Sequence, residues 1–475
     1  MTTESSTRSN TNSGNSQTQT HWGEYPIFRA AGANNSNLME DSLNLFPAQN
    51  RSARRFGGIE KLLLVVVSAG VLAGCSSGTT DGKSDHAYIR YWPPKAGDGR
   101  LRLAVKDLID MKGLVTTAGA EHFAKRGVPA ARDAECLAIA RERNVQIVGK
   151  TNVTELALGV TGRNEYFGIP KNPASKRRDL IPGGSSSGSA VAVANGTADV
   201  ALGTDTAGSI RVPAACCGVT GLKTTFGLVS AKGVYPISAK HLDTVGPMAK
   251  DISGLVQGMD LLQRGFAAKY REAKAAAPSA RGITIGRLYV DGTSRAVDEA
   301  VDAALKAKGF RVVVLPASFK AYWEQAEQDG RTVAVADGWL TNRELNAEPG
   351  ITAGTKAVFA LGASEYKVNY PNALERRAAW QRELKRTFRK VDFIALPTLK
   401  GLPPTVPMFG GTPALEALTL SMQNTVAVNY AGNPAVAVPV PLRDKDGSVT
   451  SLQLIGPRLS EAQLLNAARL AESKR

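Results

Sequence analysis

Histidine is scarce in this chain of 475 residues: His21, His86, His122 and His241 are the full set. Only His241 follows the serine-rich stretch "IPGGSSSGSA" at residues 181–190, so a histidine-driven serine hydrolase has a single base to draw on there. Cysteine is as thin. Cys75, Cys136, Cys216 and Cys217 make no disulfide framework for a chain of this size. They form no Cys-x-x-Cys pair and no Cys/His group at ligand spacing, which argues against a structural zinc; no metal and no cofactor is expected. Cys216 and Cys217 stand in the apolar "VPAACCGV" and read as small packed hydrophobes. The chain also lacks a long basic run interleaved with aromatics. Its formal charge of +16 is spread along the length, so it describes a mildly basic surface, and nucleic acid is not an expected partner.

A long apolar segment is missing too. The strongest run, Leu62 to Leu72, is too short to span a bilayer as a mature helix. Arg51, Arg54, Arg55 and Lys61 precede it and small residues follow, the layout of a signal-peptide core. "LAGC" (Leu72 to Cys75) resembles the lipobox of bacterial lipoproteins. That resemblance implies Cys75 as the lipidated mature N-terminus, a lipid anchor to the membrane, and a place in the cell envelope. Signal peptides start near residue one, however, and a polar leader precedes this one. Either the leader reflects a mis-set start, or the run is an ordinary buried segment and the protein is cytoplasmic. The reading divides the chain into a disordered Ser/Thr/Asn/Gln-rich leader over 1–50, a signal-peptide-like segment over 51–75, a tether over 76–90 and one folded domain over 91–475.

Hydrophobic content of 43% suits a domain with a substantial core. Within it, strand-like runs alternate with helical patterns. "RGITIGRLYV" reads as a strand; "TSRAVDEAVDAALKAKG" reads as an amphipathic helix with Val297, Ala300, Val301, Ala304 and Leu305 on one face and Gly309 as its stop. "FRVVVLP" is the next strand. "AECLAIARERN" followed by "VQIVGKT" repeats the helix-then-strand order. "NPAVAVPVPLRDKDGSVTSLQLIG" reads as two strands joined by a turn at Lys445 to Ser448, ahead of the helix "SEAQLLNAARLAES". Such alternation predicts an α/β fold: a single large domain with a central mixed β-sheet covered by helices on both faces.

Two readings compete for the serine-rich stretch. Gly184 to Gly188 fits the G-x-S-x-G nucleophile elbow with Ser186 as nucleophile and His241 as its base. An elbow needs a strand directly before it, and "KRRDLIPGG" is charged and interrupted by Pro182. The second reading takes in more sequence. After the first Gly/Ser turn come a small-residue helix, the strand "DVALGT" and a second Gly/Ser turn, "TDTAGSIR", which the helix would bring alongside the first. Small residues in that turn let backbone N–H groups converge on a developing oxyanion.

The segment from Gly183 to Gly227 closely resembles the amidase signature family, through its GGSS-G-S, GTD-GGS-R-PA and G-KPT-G motifs. The resemblance extends to "LAVKDLIDMKGLVTTAG", "GKTNVTELALGVTGRNEYFGIPKNP", "LDTVGPMAKD", "VDFIALPT" and "NYAGNPAVAVPVP", and is only loose over 260–385. It implies a Ser–cis-Ser–Lys triad without histidine. By motif the nucleophile is Ser209, the relay is Ser185 after a cis bond from Gly184, and the base is Lys106 of "AVKD"; the two serines are 24 residues apart. The chemistry is consistent, because a serine needs a neighbouring base and a lysine serves only when burial lowers its pKa. The N–H groups of Thr206, Ala207, Gly208 and Ser209 would hold the oxyanion. Ala207 stands where the family usually has glycine, a restriction if positive φ is required. Asp205 and Arg211 read as braces of the turn.

The resemblance implies an amidase that hydrolyses the C–N bond of a small-molecule amide through a serine acyl-enzyme. Two alternatives remain: the glutaminase-type component of a tRNA-dependent amidotransferase, with a partner protein and tRNA, or a catalytically silent surface binding protein. The lipobox-like segment argues against the first and the intact triad positions against the second.

Overall fold

The computed structural model describes residues 85–473, apart from 96, 176–178, 407–412 and 443–447. The leader, the signal-like segment with Cys75 and most of the tether lie outside the described residues, as do Lys445, Asp446 and Gly447 of the expected hairpin turn. The described residues form eleven strands: β1 (Tyr88–Tyr91), β2 (Arg102–Lys106), β3 (Gln146–Thr151), β4 (Val200–Asp205), β5 (Thr220–Lys223), β6 (Thr244–Ala249), β7 (Thr284–Arg287), β8 (Arg311–Val314), β9 (Phe393–Pro397), β10 (Ala435–Pro441) and β11 (Val449–Ile455). All belong to one sheet in the order β1-β3-β2-β4-β6-β5-β10-β11-β9-β7-β8. β2 runs parallel to β3 and β4, and β7 parallel to β8 and β9, while the remaining pairs are antiparallel. β1 begins inside the stretch read as tether, so the sheet starts upstream of residue 91.

Helices cover both faces, which the burial of β4 requires. Every residue of "VALGTD" is buried, the mark of a strand packed on two sides rather than one. Ala201 and Met248 pack with Ala190 and Val191 of the helix Ser187–Ala194 and Ala214 of the helix Arg211–Cys217. The adjacent Val200 and Pro247 face the opposite way, beneath Gly258 of the helix Ile252–Leu262. A Cβ on Gly258 would come within 2.5 Å of Pro247. Successive side chains of a strand point to opposite faces, so these contacts locate the two helical layers.

Most sequence expectations correspond to elements. The amphipathic pattern forms the helix Arg295–Lys308; Val297, Ala300, Val301 and Leu305 of the expected face are buried, Ala304 is only half-buried, and Gly309 ends the helix at φ 80°. "AECLAIARERN" is less regular: a 3₁₀ turn, Glu135–Leu137, runs into the short helix Ala138–Glu142, and Asn144 closes it at φ 50°. Within and just past 260–385, where the family resemblance is loose, lie three long helices, Ala317–Asn342, Ala353–Val368 and Tyr370–Thr387. Phe319 and Trp323 of the first and Trp380 of the third share a core with Tyr430 of the helix Val426–Ala431. Among the described residues no helix is long and apolar enough to cross a membrane.

Candidate active site

Lys106 closes β2, in the parallel part of the sheet, with its side chain fully buried. Its Nζ donates to Ser185 Oγ at 2.8 Å and Thr204 Oγ1 at 2.8 Å. No ion pair reaches it among the described residues. Burial therefore decides its proton affinity, pulling the pKa from 10.5 to about 7, with Asp205 and Asp243 drawing it partly back. An amine in that range is neutral for a large part of the time near pH 7 and can accept a proton.

Ser185 follows a cis peptide bond from Gly184, as the family resemblance implied. The turn is held from outside: Gly184 N donates to Val160 O at 2.7 Å and Thr154 N to Ser185 O at 3.2 Å. It also touches the second turn directly, since Ser186 N donates to Ser209 O at 3.2 Å. The two Gly/Ser turns thus lie side by side, and Lys106 contacts the first. Ser209 itself is 6% exposed, just ahead of the helix Arg211–Cys217.

The elbow reading lacks its framework: no strand precedes Ser186 over residues 181–184, its Oγ donates to Thr204 O at 3.3 Å, and among the described residues no hydrogen bond joins it to His241, whose Nδ1 lies 2.7 Å from Asp337 Oδ2.

The second turn is built around Asp205. Its carboxylate accepts from Gly208 N at 2.8 Å and Ile210 N at 3.1 Å, and pairs with the fully buried Arg211 at 2.9 Å. Burial alone would raise this carboxyl, but Arg211 outweighs that and holds it far below the usual carboxylate range. Arg211 in turn donates to Thr425 O at 3.0 Å and Gln453 Oε1 at 2.7 Å, tying the turn to the start of the helix Val426–Ala431 and to β11. Of the four N–H groups expected around an oxyanion, that of Gly208 is directed at Asp205 Oδ1. Ala207 fits without strain because its φ is not positive; the positive φ of the turn, 131°, belongs to Gly208. A Cβ on Gly208 would lie 2.3 Å from Thr425 Oγ1, and that hydroxyl already donates to Ala207 O at 2.6 Å.

Sequence reasoning assigned no role to Thr204, Asp243, Thr425, Asn429 or Gln453. Asn429 donates to Asp205 Oδ1 at 2.8 Å, and Asp243 accepts from Thr206 Oγ1 at 2.7 Å. The motifs "NYAGNP" and "LDTVGP" contain two of these residues, but nothing in their local pattern says which strand they brace. Lys223 was also missed. It is as buried as Lys106 and likewise lowered to about 7, yet it donates to Thr224 O and Asn433 O at 2.9 Å and, among the described residues, to no hydroxyl.

A cavity of about 10 Å³, room for one water, lies against Thr204, Thr206 and Asp243 beside this constellation. A larger one, about 800 Å³, opens between the helices Phe266–Ala276 and Glu461–Ala471; neither Lys106, Ser185 nor Ser209 lines it. Among the described residues no group of three or more His, Cys, Asp or Glu is placed to hold a metal.

The model of the amidase family matches residues 101–465. The chain belongs to the amidase family. The curated relatives this chain resembles include a glutamyl-tRNA(Gln) amidotransferase component from Halobacterium salinarum, 35% identical over 428 residues, spanning 79% of this chain and 96% of that one. Its counterpart from Methanospirillum hungatei is 32% identical, spanning 82% and 97%. Among solved structures, the corresponding glutamyl-tRNA(Gln) amidotransferase component of Thermotoga maritima superposes with a TM-score of 0.66 at 25% identity, covering 81% of this chain and 87% of that one. An inhibitor-bound complex described as revealing the origins of an s-triazine catabolic enzyme reaches 0.68 at 29%, covering 80% and 84%. The fold of the chain is the single α/β domain read from the sequence, and its family is one of enzymes that act on C–N bonds.

Proposed function

We propose that the chain cleaves a carboxamide C–N bond through a serine acyl-enzyme, with Ser209 as nucleophile, Ser185 as relay and Lys106 as base. The observation that carries this reading is the buried Lys106 Nζ, 2.8 Å from Ser185 Oγ and poised to titrate near 7. Ser209 Oγ attacks the carbonyl carbon while its proton passes to Ser185 and the Ser185 proton to Lys106. The N–H groups of Thr206, Ala207 and Ser209 stabilise the oxyanion. Return of the proton along the same path to nitrogen breaks the C–N bond and releases ammonia or an amine. Water, deprotonated by the same base, then hydrolyses the ester and restores Ser209.

The comparisons favour the amidotransferase setting for this chemistry. The amidotransferase relatives align over nearly their whole length, so we read this chain as the ammonia-releasing component of an assembly with a protein partner. A free-standing amidase is the second reading, favoured by the likeness to a solved amidase at 26% identity and a TM-score of 0.64. The triad test comes first: a fluorophosphonate should label wild type at Ser209 and leave Ser209→Ala unlabelled. Equal labelling of the two would sink the mechanism. Glutamine-dependent ammonia release that rises when a partner co-purifies supports the amidotransferase reading; turnover of simple amides by the isolated chain supports the other.

A further inference from the structure

The relay turn is attached to the helical cap through one buried acid. Glu155 follows Thr154, whose N–H donates to Ser185 O, and its side chain is 6% exposed. The Glu155 carboxylate reaches away from the turn to the start of the helix Ala353–Val368. There it accepts from Thr352 N at 3.1 Å, Thr352 Oγ1 at 2.5 Å and Thr355 Oγ1 at 2.5 Å. Among the described residues it has no ion pair, so its partners are the cap and first turn of that helix, whose unpaired N–H groups and dipole favour an acid. Immediately after Glu155, Leu156 and Ala157 both take left-handed φ, 49° and 55°. Neither residue adopts that conformation cheaply, and it persists only where surrounding contacts dictate it. The same tight turn delivers Val160 O to Gly184 N, and Thr154 Oγ1 lies 2.6 Å from where a Cβ on Gly184 would stand. The Gly184 N–H and the Ser185 carbonyl are thus both held by residues 154–160, and that segment is fastened in turn to the helix Ala353–Val368.

We propose that Glu155 is a positioning residue for amide cleavage: by fastening the 154–157 turn to the N-terminus of the helix Ala353–Val368, it sets the position of Ser185 against Lys106. This inference rests on the Ser209/Ser185/Lys106 reading. Glu155 touches no reacting atom and acts only through the turn. The substitutions are Glu155→Ala, which removes the acceptor, Glu155→Gln, which keeps one acceptor oxygen while the threonine hydroxyls can reverse to accept from its amide, and the double change Thr352→Ala/Thr355→Ala. The probe is a fluorophosphonate, and the readouts are the labelling rate at Ser209, its pH dependence and amide exchange over residues 183–187.

Misplacement of a catalytic group by about 1 Å is worth on the order of 100-fold in rate. Labelling by Glu155→Ala and by the threonine pair should fall about 10-fold or more, with a displaced pH midpoint and faster exchange at 183–187. Glu155→Gln should stay within a few-fold of wild type. If Glu155→Ala does not fold, the threonine pair and Glu155→Gln carry the same comparison. Variants that label at the wild-type rate with an unchanged pH midpoint, and differ only in melting temperature, would overturn the proposal. If wild type itself does not label at Ser209, the triad reading has failed instead, a distinct outcome.

Discussion

Replacing Lys106 by methionine keeps the aliphatic stem and removes the amine, and its effect on stability should depend on pH in a calculable way. An unfolded lysine holds its proton up to 10.5, whereas the buried Lys106 releases it near 7. Below pH 7 both states are protonated and the folded protein carries the buried charge at full cost. Between 7 and 10.5 the unfolded state holds one more proton than the folded one, so wild-type stability rises with pH by about 1.4 kcal/mol per pH unit. Over the whole window this amounts to roughly 5 kcal/mol. Methionine has no such dependence, and Lys223 is common to both proteins and cancels. Loss of the hydrogen bonds to Ser185 and Thr204 sets a constant offset, not the slope. The stability of Lys106→Met relative to wild type should therefore be greatest at about pH 6 to 7. It should decline by about 2 kcal/mol between roughly pH 7.5 and 9. Urea unfolding followed by circular dichroism at those pH values measures the difference directly. A difference that does not change with pH would mean the amine keeps its proton in the fold, and the base assignment would go with it.

The labelling rate of Ser209 by fluorophosphonate should fall about tenfold per pH unit below about 7 as Lys106 becomes charged; a flat profile from about pH 5 to 8 contradicts the assignment. Gly208→Ala should reduce labelling about 10-fold or more, since its φ of 131° and the 2.3 Å approach to Thr425 Oγ1 leave no room for a methyl. Ala207→Gly, at a position of ordinary φ, should change labelling less than about threefold; the reverse ranking would mean the turn is misread. Asp205→Asn should destabilise the fold by about 3–5 kcal/mol in urea unfolding, because it strands the Arg211 guanidinium in the interior without its counter-charge. A loss below about 1 kcal/mol would show that Asn429 and Gln453 suffice to hold it.

What was legible in the sequence was local. Alternating strand and helix patterns are set by side-chain periods of about two and 3.6, so the α/β class and helices such as Arg295–Lys308 could be read residue by residue. The two Gly/Ser turns were legible for the same reason: small residues declare where backbone must come close to something. The limits were also local in origin. "TDTAGSIR" offers four candidate N–H donors, but only the folded turn brings Asp205 back to claim the one on Gly208. The motif "AVKD" marked Lys106 in the chain, but that Lys223 is equally buried, and that one lysine faces a serine and the other two carbonyls, appears only in the fold. Glu155 reads as an ordinary polar residue until the helix Ala353–Val368, far along the chain, lays its first turn on it. Periodicity and turn chemistry are properties of neighbours in sequence and so belong to the sequence. Hydrogen-bond partners, burial and the pKa values that follow from them belong to neighbours in space, which only tertiary packing chooses.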